Sequence, residues 1–253
     1  MFEPMVAANL PTAPQAAVAA IEAFFAECRE RLFREAVAPS KQNEGRVPDN
    51  PFGEADAAGQ RPLLATPGLL RATQPLGPRF TLVIKHNAAF TAVLPQLVAS
   101  LPVLAVVRNP LAVLASWHSV PLPVREGRVP AGERLDPELA RVLVSEPDRM
   151  RRQLHVLEWF FARFAMELDR AQVLRYEDIV AGQGAPLFAA AGLQPVGPVE
   201  ALTIRNSRLR APLPVLSAFA EALLAGQGSW RRWYDESELV RLLEHARAHA
   251  GSI

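Results

Sequence analysis

Charged side chains at the ends of two apolar runs are the residues of this chain best suited to chemistry. Lys85 and His86 end the first run, and Arg108 ends the second, eight positions before Ser116. A guanidinium can grip a phosphate with two hydrogen bonds, and a histidine is the usual general base near neutral pH. The runs therefore predict an anion site and a candidate base. A structural arginine, an ordinary helix serine and a structural histidine are the alternatives.

Three short apolar runs separated by helical patterns must position these groups. They cover residues 81–85, 103–107 and 172–175, and each is typical of a buried parallel strand. Helical patterns lie at 90–99, 110–118, 148–168, 212–225 and 235–249. Alternating strands and helices indicate an α/β fold with a parallel sheet, in which ligands bind at the carboxyl ends of the strands. Neighbouring residues of a regular strand point to opposite faces, so Lys85 and His86 face one ligand together only if the strand ends there.

The length of 253 residues fits a single domain over residues 1–253. Two segments rich in proline, glycine and arginine, 38–79 and 121–147, are predicted as long irregular loops, the first with one short helix near Leu69 and the second with one short helix from Asp136. Loops over a rigid sheet commonly carry specificity, so these are the expected place for it.

Composition argues against several classes of protein. The formal net charge of +1 gives no reason to expect a nucleic-acid partner. No apolar run approaches the ~20 residues that span a bilayer, and the first residues do not resemble a signal peptide. The single cysteine, Cys28, fits packing in a reducing, cytoplasmic compartment. Only two of 27 basic residues are lysines, which is typical of a GC-rich bacterial gene, and no histidines show metal-ligand spacing.

Three stretches in order, VIKHNAAFTAVLPQL, PVLAVVRNPLAVLASW and VLRYEDIV, carry a family resemblance. Together they resemble the sulfotransferases that use 3′-phosphoadenylyl sulfate. That family has a strand end bearing Lys and His, then a strand ending in Arg-(Asn/Asp)-Pro with a serine eight residues after the arginine, then a strand ending in Arg-Tyr-Glu-Asp. The resemblance covers roughly residues 81–180, with a weaker tail around Trp230. It implies a P-loop-type parallel sheet flanked by helices.

The resemblance implies a donor-nucleotide site. Arg108 and Ser116 would hold the 3′-phosphate, and Tyr176 would lie near the adenine. Arg231 and Arg232 would add a late contact to the 3′-phosphate, on position alone. For this pair, a solvated cluster beside a helix is the alternative interpretation. The implied co-substrate is 3′-phosphoadenylyl sulfate, with no metal.

The resemblance also implies a reaction, transfer of the sulfuryl group to a hydroxyl or amine acceptor. His86 would take the acceptor's proton, and Lys85 would lie close to the developing charge. In the family, lysine and histidine are separated by one residue, whereas here they are adjacent. Aligning on Lys85 would put Asn87, a poor base, at the base position. Aligning on His86 keeps the family's separation between base and arginine, so we prefer it.

The family's first strand and its 5′-phosphosulfate loop, of the type Pro-Lys-Ser-Gly-Thr-Thr, have no counterpart in the sequence. Such a loop cradles phosphate with consecutive backbone N–H groups between a strand and a helix. The nearest strings, Ser40-Lys41, Gly182-Gln-Gly184 and Gly226-Gln-Gly228-Ser229, do not follow a predicted strand. A non-catalytic nucleotide-binding or interaction protein that keeps the fold is therefore the alternative function. A nucleotide kinase-like enzyme would need a Gly-Lys-Ser/Thr loop, which the sequence also lacks.

Overall fold

The computed structural model of the chain describes residues 9–48, 50–57, 59–195, 201–203, 209 and 211–250, the last without its side chain. In these residues the α-helices are α1 Pro14–Glu35, α2 Asn87–Ala92, α3 Leu94–Leu97, α4 Pro110–His118, α5 Pro130–Leu135, α6 Pro137–Ser145, α7 Arg149–Glu167, α8 Tyr176–Ala181, α9 Ala185–Ala190, α10 Leu213–Ala225 and α11 Glu236–Ala250. The strands are β1 Val37–Gln42, β2 Thr66–Arg71, β3 Ala105–Val107 and β4 Val173–Arg175, and 3₁₀ turns cover Pro123–Glu126, Arg170–Gln172 and Ser229–Arg232.

The chain divides into two compact units. The first comprises Met1–Ala99 and Val129–Arg141, and the second comprises Ser100–Arg128 and Val142–Ile253. A single domain over 1–253 stays a prediction.

In the first unit, β1 and β2 form an antiparallel pair with Val37 opposite Arg71 and Gln42 opposite Thr66. All of this pair except Val37 lies in 38–79, which was predicted to be irregular with one short helix near Leu69. Both parts of that prediction were wrong, since Leu69 lies in β2. Pro39 and Pro67 argued against strands here, because proline is tolerated only on edge strands of a sheet. In a two-stranded sheet both strands are edge strands, so the two prolines are accommodated. A Cβ at Gly68 would lie 2.3 Å from the Gln42 side chain, so a larger residue there would displace that side chain.

The strand predicted at residues 81–85 does not form, and this segment is irregular in the structure. Its side chains alternate between exposed and half-buried, and Val83 is 78% exposed. An extended segment becomes a strand only when a neighbour satisfies its backbone groups, and none of the described strands pairs with this one. Just before the segment, Arg29 of α1 donates to the carbonyls of Pro78 and Phe80, both at 2.8 Å.

Residues 121–147 are more helical than the single short helix that was predicted. The 3₁₀ turn at Pro123–Glu126 and helices α5 and α6 each begin with a proline, which suits the first turn of a helix. Glu133 accepts a hydrogen bond from the Val129 N–H at 2.7 Å, and Asp136 accepts from the Leu139 N–H at 3.1 Å. These caps stabilise short helices that hydrophobic periodicity does not reveal.

The second unit holds the parallel pair that the sequence predicts. β3 lies beside β4 with Ala105 opposite Val173 and Val107 opposite Arg175. The α/β class is therefore confirmed in this form, a small parallel sheet among helices. Asn109 caps α4 through its side-chain oxygen, which accepts from the Leu111 N–H at 3.1 Å, and Asp148 caps α7 by accepting from the Arg151 N–H at 2.7 Å.

Two cores fill the units. Cys28 is buried in the first unit, as expected for a packing role, and burial followed by the charge of Glu27 raises the pKa of its thiol. The largest fully buried side chains of the second unit are Leu111, Leu114, Leu143, Val156, Leu216, Phe219, Trp230, Tyr234 and Leu239. Among the described residues, no helix is both long and apolar enough to cross a membrane.

Replacing Leu114 with alanine tests the packing of α4. Leu114 is 0% exposed, so Leu114→Ala should lower the free energy of unfolding by about 2–5 kcal/mol through lost burial and a cavity. The same change at Leu63, which is 47% exposed, should cost roughly 0.5 kcal/mol or less. Urea unfolding of both variants measures the difference, and equal losses would contradict the described packing.

Candidate functional site

The structure brings together two of the predicted site residues, Arg108 and Tyr176. Val107 and Arg175 are opposite each other at the ends of β3 and β4, so the residues that follow them emerge side by side. The Arg108 guanidinium carbon lies 5.2 Å from the centroid of the Tyr176 ring, within the range of a cation–π interaction. A cation and an aromatic ring therefore share the carboxyl edge of the parallel pair.

Arg108 is a desolvated cation. Burial lowers the pKa of its guanidinium, while Tyr176, Glu177 and Tyr234 act in the opposite direction. Because arginine stays protonated in proteins, the lowered pKa means that the charge is poorly hydrated. An anion that reached this guanidinium would gain more than at a fully solvated arginine.

Glu177, the residue after Tyr176, connects the two strand ends. One carboxylate oxygen accepts from the Asn109 backbone N–H at 3.2 Å, and the other accepts from the Tyr234 hydroxyl at 2.6 Å. The same hydroxyl lies 3.2 Å from the carbonyl oxygen of Val107. The backbone on both sides of Arg108 is thereby tied to one carboxylate and one phenol, which we call the Glu177–Tyr234 bridge.

Tyr234 lies between the 3₁₀ turn Ser229–Arg232 and α11, and it is 2% exposed. Burial raises the pKa of its phenol far above the ordinary value, and the hydrogen bond and charge of Glu177 raise it further. Both effects disfavour a second negative charge beside the carboxylate. Tyr234 is therefore a fixed hydrogen-bond donor and not a candidate base.

Arg175 also lies over the Tyr234 ring, with its guanidinium carbon 4.4 Å from the ring centroid. It donates to Glu238 at 2.5 Å, and Glu238 also accepts from the Asp235 N–H at 2.9 Å at the start of α11. Burial lowers the pKa of Arg175, but the hydrogen bond and charge of Glu238 outweigh it, so the net shift is upward. A shallow pocket of about 280 Å³ opens here, lined by Asn109, Arg175, Glu177, Tyr234, Glu238, Arg241, Leu242 and His245.

Ser116 occupies the seventh position of α4 and is half-buried. A rise of about 1.5 Å per residue puts it roughly 9 Å along the helix axis from Pro110. Its carbonyl oxygen accepts from the Ser119 N–H at 3.1 Å and from the Ser119 hydroxyl at 2.9 Å. An anion held by Arg108 would have to extend along α4 to reach the Ser116 hydroxyl as well.

Arg231 and Arg232 contact protein groups. Arg231 donates to the carbonyls of Leu224 and Gly226 at 3.0 and 2.9 Å, pairs with Glu236 and stacks on Trp230, so it caps the carboxyl end of α10. Arg232 donates to the Ala165 carbonyl at 2.5 Å. These contacts engage donors that a phosphate would need.

Lys85 and His86 lie in the first unit. Lys85 is exposed, whereas His86 is 5% exposed and caps α2, with its Nδ1 accepting from the Ala89 N–H at 3.3 Å. A neutral imidazole that accepts at Nδ1 carries its proton on Nε2. In this tautomer neither ring nitrogen offers a lone pair to an acceptor's proton.

The three loop-like strings do not behave as phosphosulfate loops. Ser40 and Lys41 lie inside β1, Gly184 follows α8, and the Gly226–Ser229 string follows α10. Nor does the described part of the chain contain a group of three or more His, Cys, Asp or Glu side chains arranged to hold a metal ion.

Sequence reasoning named Arg108 and Tyr176 as candidate site residues but not Glu177 and Tyr234, both of which act electrostatically on Arg108. Glu177 belongs to the Arg-Tyr-Glu-Asp string, so its place after a strand end was a usable signal. Tyr234 lies 57 positions from Glu177, and no local pattern links them.

The Tyr176→Phe variant tests the state of Tyr234, because the chain has two tyrosines and the variant leaves one phenol. We expect no phenolate absorbance near pH 10 while circular dichroism stays native. Below pH 10 the stabilisation is complete, and above it the free energy of unfolding should fall by about 1.4 kcal/mol per pH unit, since the unfolded phenol ionises first. A phenolate step near pH 10 in the folded protein would contradict this environment.

His86 variants separate capping from chemistry. His86→Ala should lower the free energy of unfolding by about 0.5–2 kcal/mol, because the Ala89 N–H loses its acceptor. His86→Asn should recover most of that loss, since asparagine is a good cap, while offering no base. Chemical denaturation compares the two, and equal stability of both variants would exclude the cap as a source of stability.

Comparison with protein-family models, with curated proteins and with solved structures finds no match to this chain. Its function is therefore argued from the strand-end geometry and the residues themselves.

Proposed function

We propose that this chain is a sulfotransferase-type protein that binds 3′-phosphoadenylyl sulfate, with the 3′-phosphate on Arg108 and the adenine near Tyr176. The observation that carries the proposal is the pairing of these two side chains at adjacent carboxyl ends of β3 and β4. Open α/β sheets bind ligands at such edges.

The two side chains suit the two parts of such a nucleotide. The poorly hydrated Arg108 guanidinium favours a phosphate that can accept two hydrogen bonds. The amino-terminal end of α4 begins next to it, and the dipole of the helix favours negative charge at this end. Tyr176 offers an aromatic surface to a purine, and Ser116 is the second proposed phosphate contact.

The proposed reaction transfers a sulfuryl group to a hydroxyl or amine. The bond between sulfur and the donor's phosphate oxygen breaks, a bond from the acceptor oxygen or nitrogen to sulfur forms, and a base takes the acceptor's proton. His86 is the proposed base and Lys85 the proposed nearby cation. For His86 to act, the imidazole must release the Ala89 N–H or exchange its tautomer.

A second candidate function is nucleotide binding without catalysis. The Nδ1 cap favours it, because it holds His86 in a tautomer without an available lone pair. Both candidates use the same 3′-phosphate site, and they differ in whether His86 takes part. A P-loop-type sheet and the Arg231 and Arg232 contacts remain proposals.

Arg108→Ala should weaken binding of adenosine 3′,5′-bisphosphate by about 1.5–3 kcal/mol, the range for hydrogen bonds to charged groups. Isothermal titration calorimetry measures this as roughly a ten- to hundredfold rise in Kd. Arg71→Ala, on the exposed strand β2, is the matched control and should leave Kd unchanged. Absence of binding by the wild-type chain at millimolar ligand, or an unchanged Kd for Arg108→Ala, would refute the site.

A further inference from the structure

We propose that the Glu177–Tyr234 bridge sets the geometry of the Arg108–Tyr176 pair, which makes Glu177 and Tyr234 positioning residues for the nucleotide's 3′-phosphate. This inference rests on the proposed function for its ligand. The bridge itself is defined by two hydrogen bonds to the Glu177 carboxylate, from the Tyr234 hydroxyl at 2.6 Å and from the Asn109 N–H at 3.2 Å. The Tyr234 hydroxyl oxygen also lies 3.2 Å from the Val107 carbonyl oxygen.

The contacts of the bridge fall on the immediate neighbours of the two ligand-facing residues. Val107 and Asn109 flank Arg108, and both have backbone atoms within hydrogen-bonding distance of the bridge. Glu177 itself follows Tyr176 at the start of α8. A shift of the carboxylate would therefore move the backbone that carries both Arg108 and Tyr176.

The strands alone do not fix this geometry firmly. β3 and β4 have three residues each, and the pairing ends at Val107 and Arg175, one residue before the site. Beyond that point the hydrogen bonds to Glu177 connect the two backbones. If the strands paired over more residues, their own hydrogen bonds would hold these backbones together.

The bridge also controls charge beside the proposed phosphate. A bare carboxylate near Arg108 would keep the guanidinium charged but would repel an incoming anion. The Tyr234 hydroxyl and the Asn109 N–H direct their positive ends at the carboxylate and offset part of this repulsion. Because the phenol keeps its proton at all ordinary pH values, this compensation does not switch off.

A double-mutant cycle on adenosine 3′,5′-bisphosphate affinity tests positioning directly. Tyr234→Phe removes one hydroxyl and should raise Kd roughly tenfold, as expected for a lost hydrogen bond to a charged group. In the Arg108→Ala background the same change should raise Kd less than about twofold, because its effect passes through Arg108. An equal factor in both backgrounds would show a role in stability alone and overturn the inference.

Selective ¹³C labelling of tyrosine gives a second readout that needs no ligand. The chain has two tyrosines, so ring signals are assigned with Tyr176→Phe and Tyr234→Phe. Glu177→Gln keeps the side-chain shape but cannot accept from both donors through charged oxygens, and it should shift the Tyr176 ring signal. Arg71→Ala, the matched control, should not.

These readouts separate the two proposals. If the wild-type chain does not bind the nucleotide, the proposed function fails, and the Tyr176 signal alone then decides whether the bridge sets the pair's geometry. An unmoved Tyr176 signal in Glu177→Gln, with the fold intact by circular dichroism, overturns the positioning role whatever the nucleotide does.

Discussion

The two hydrogen bonds to the Glu177 carboxylate are the constraint on which the candidate site depends. They join the first turn of α4, the start of α8 and the segment before α11, three pieces of chain that the short parallel pair cannot hold together by itself. A carboxylate suits this position because it accepts from several donors at once, and hydrogen bonds to a charged acceptor are stronger than neutral ones. The backbone around Arg108 is thereby fixed before any ligand arrives.

Around this carboxylate, charged side chains of the second unit lie against aromatic rings. Arg108 lies against Tyr176, Arg175 lies against Tyr234, and each arginine has a glutamate near it. Half-buried cations are costly unless their charge is compensated, and here rings and carboxylates share that task. Arg175 is paired with Glu238 through a short hydrogen bond, and the charge of Glu177 acts on Arg108.

Local sequence patterns predicted the helices and strands that depend on residues close together in the chain. β3, β4, α4 and α7 follow from apolar runs, proline at a first turn and capping side chains, and they were found where expected. The β1–β2 pair and the unpaired segment 81–85 were not predicted, because strand formation depends on a partner elsewhere in the chain. The contacts of the candidate site also differ in whether local sequence patterns predict them. The adjacency of Arg108 and Tyr176 follows from strand ends, but the bond between Tyr234 and Glu177 spans 57 positions.

A motif specifies residue types, while chemistry depends on which atoms are already engaged. His86 occupies a plausible base position, yet its Nδ1 serves as a helix cap, which leaves the proton on Nε2. Arg231 was a candidate for a phosphate contact on position alone, yet its donors satisfy the last carbonyls of α10. At Arg108 the surrounding groups hold the backbone on either side of the residue, and the Tyr176 ring lies beside its guanidinium. Contacts within the folded chain therefore decide how each motif residue can be used, and they differ at these three positions.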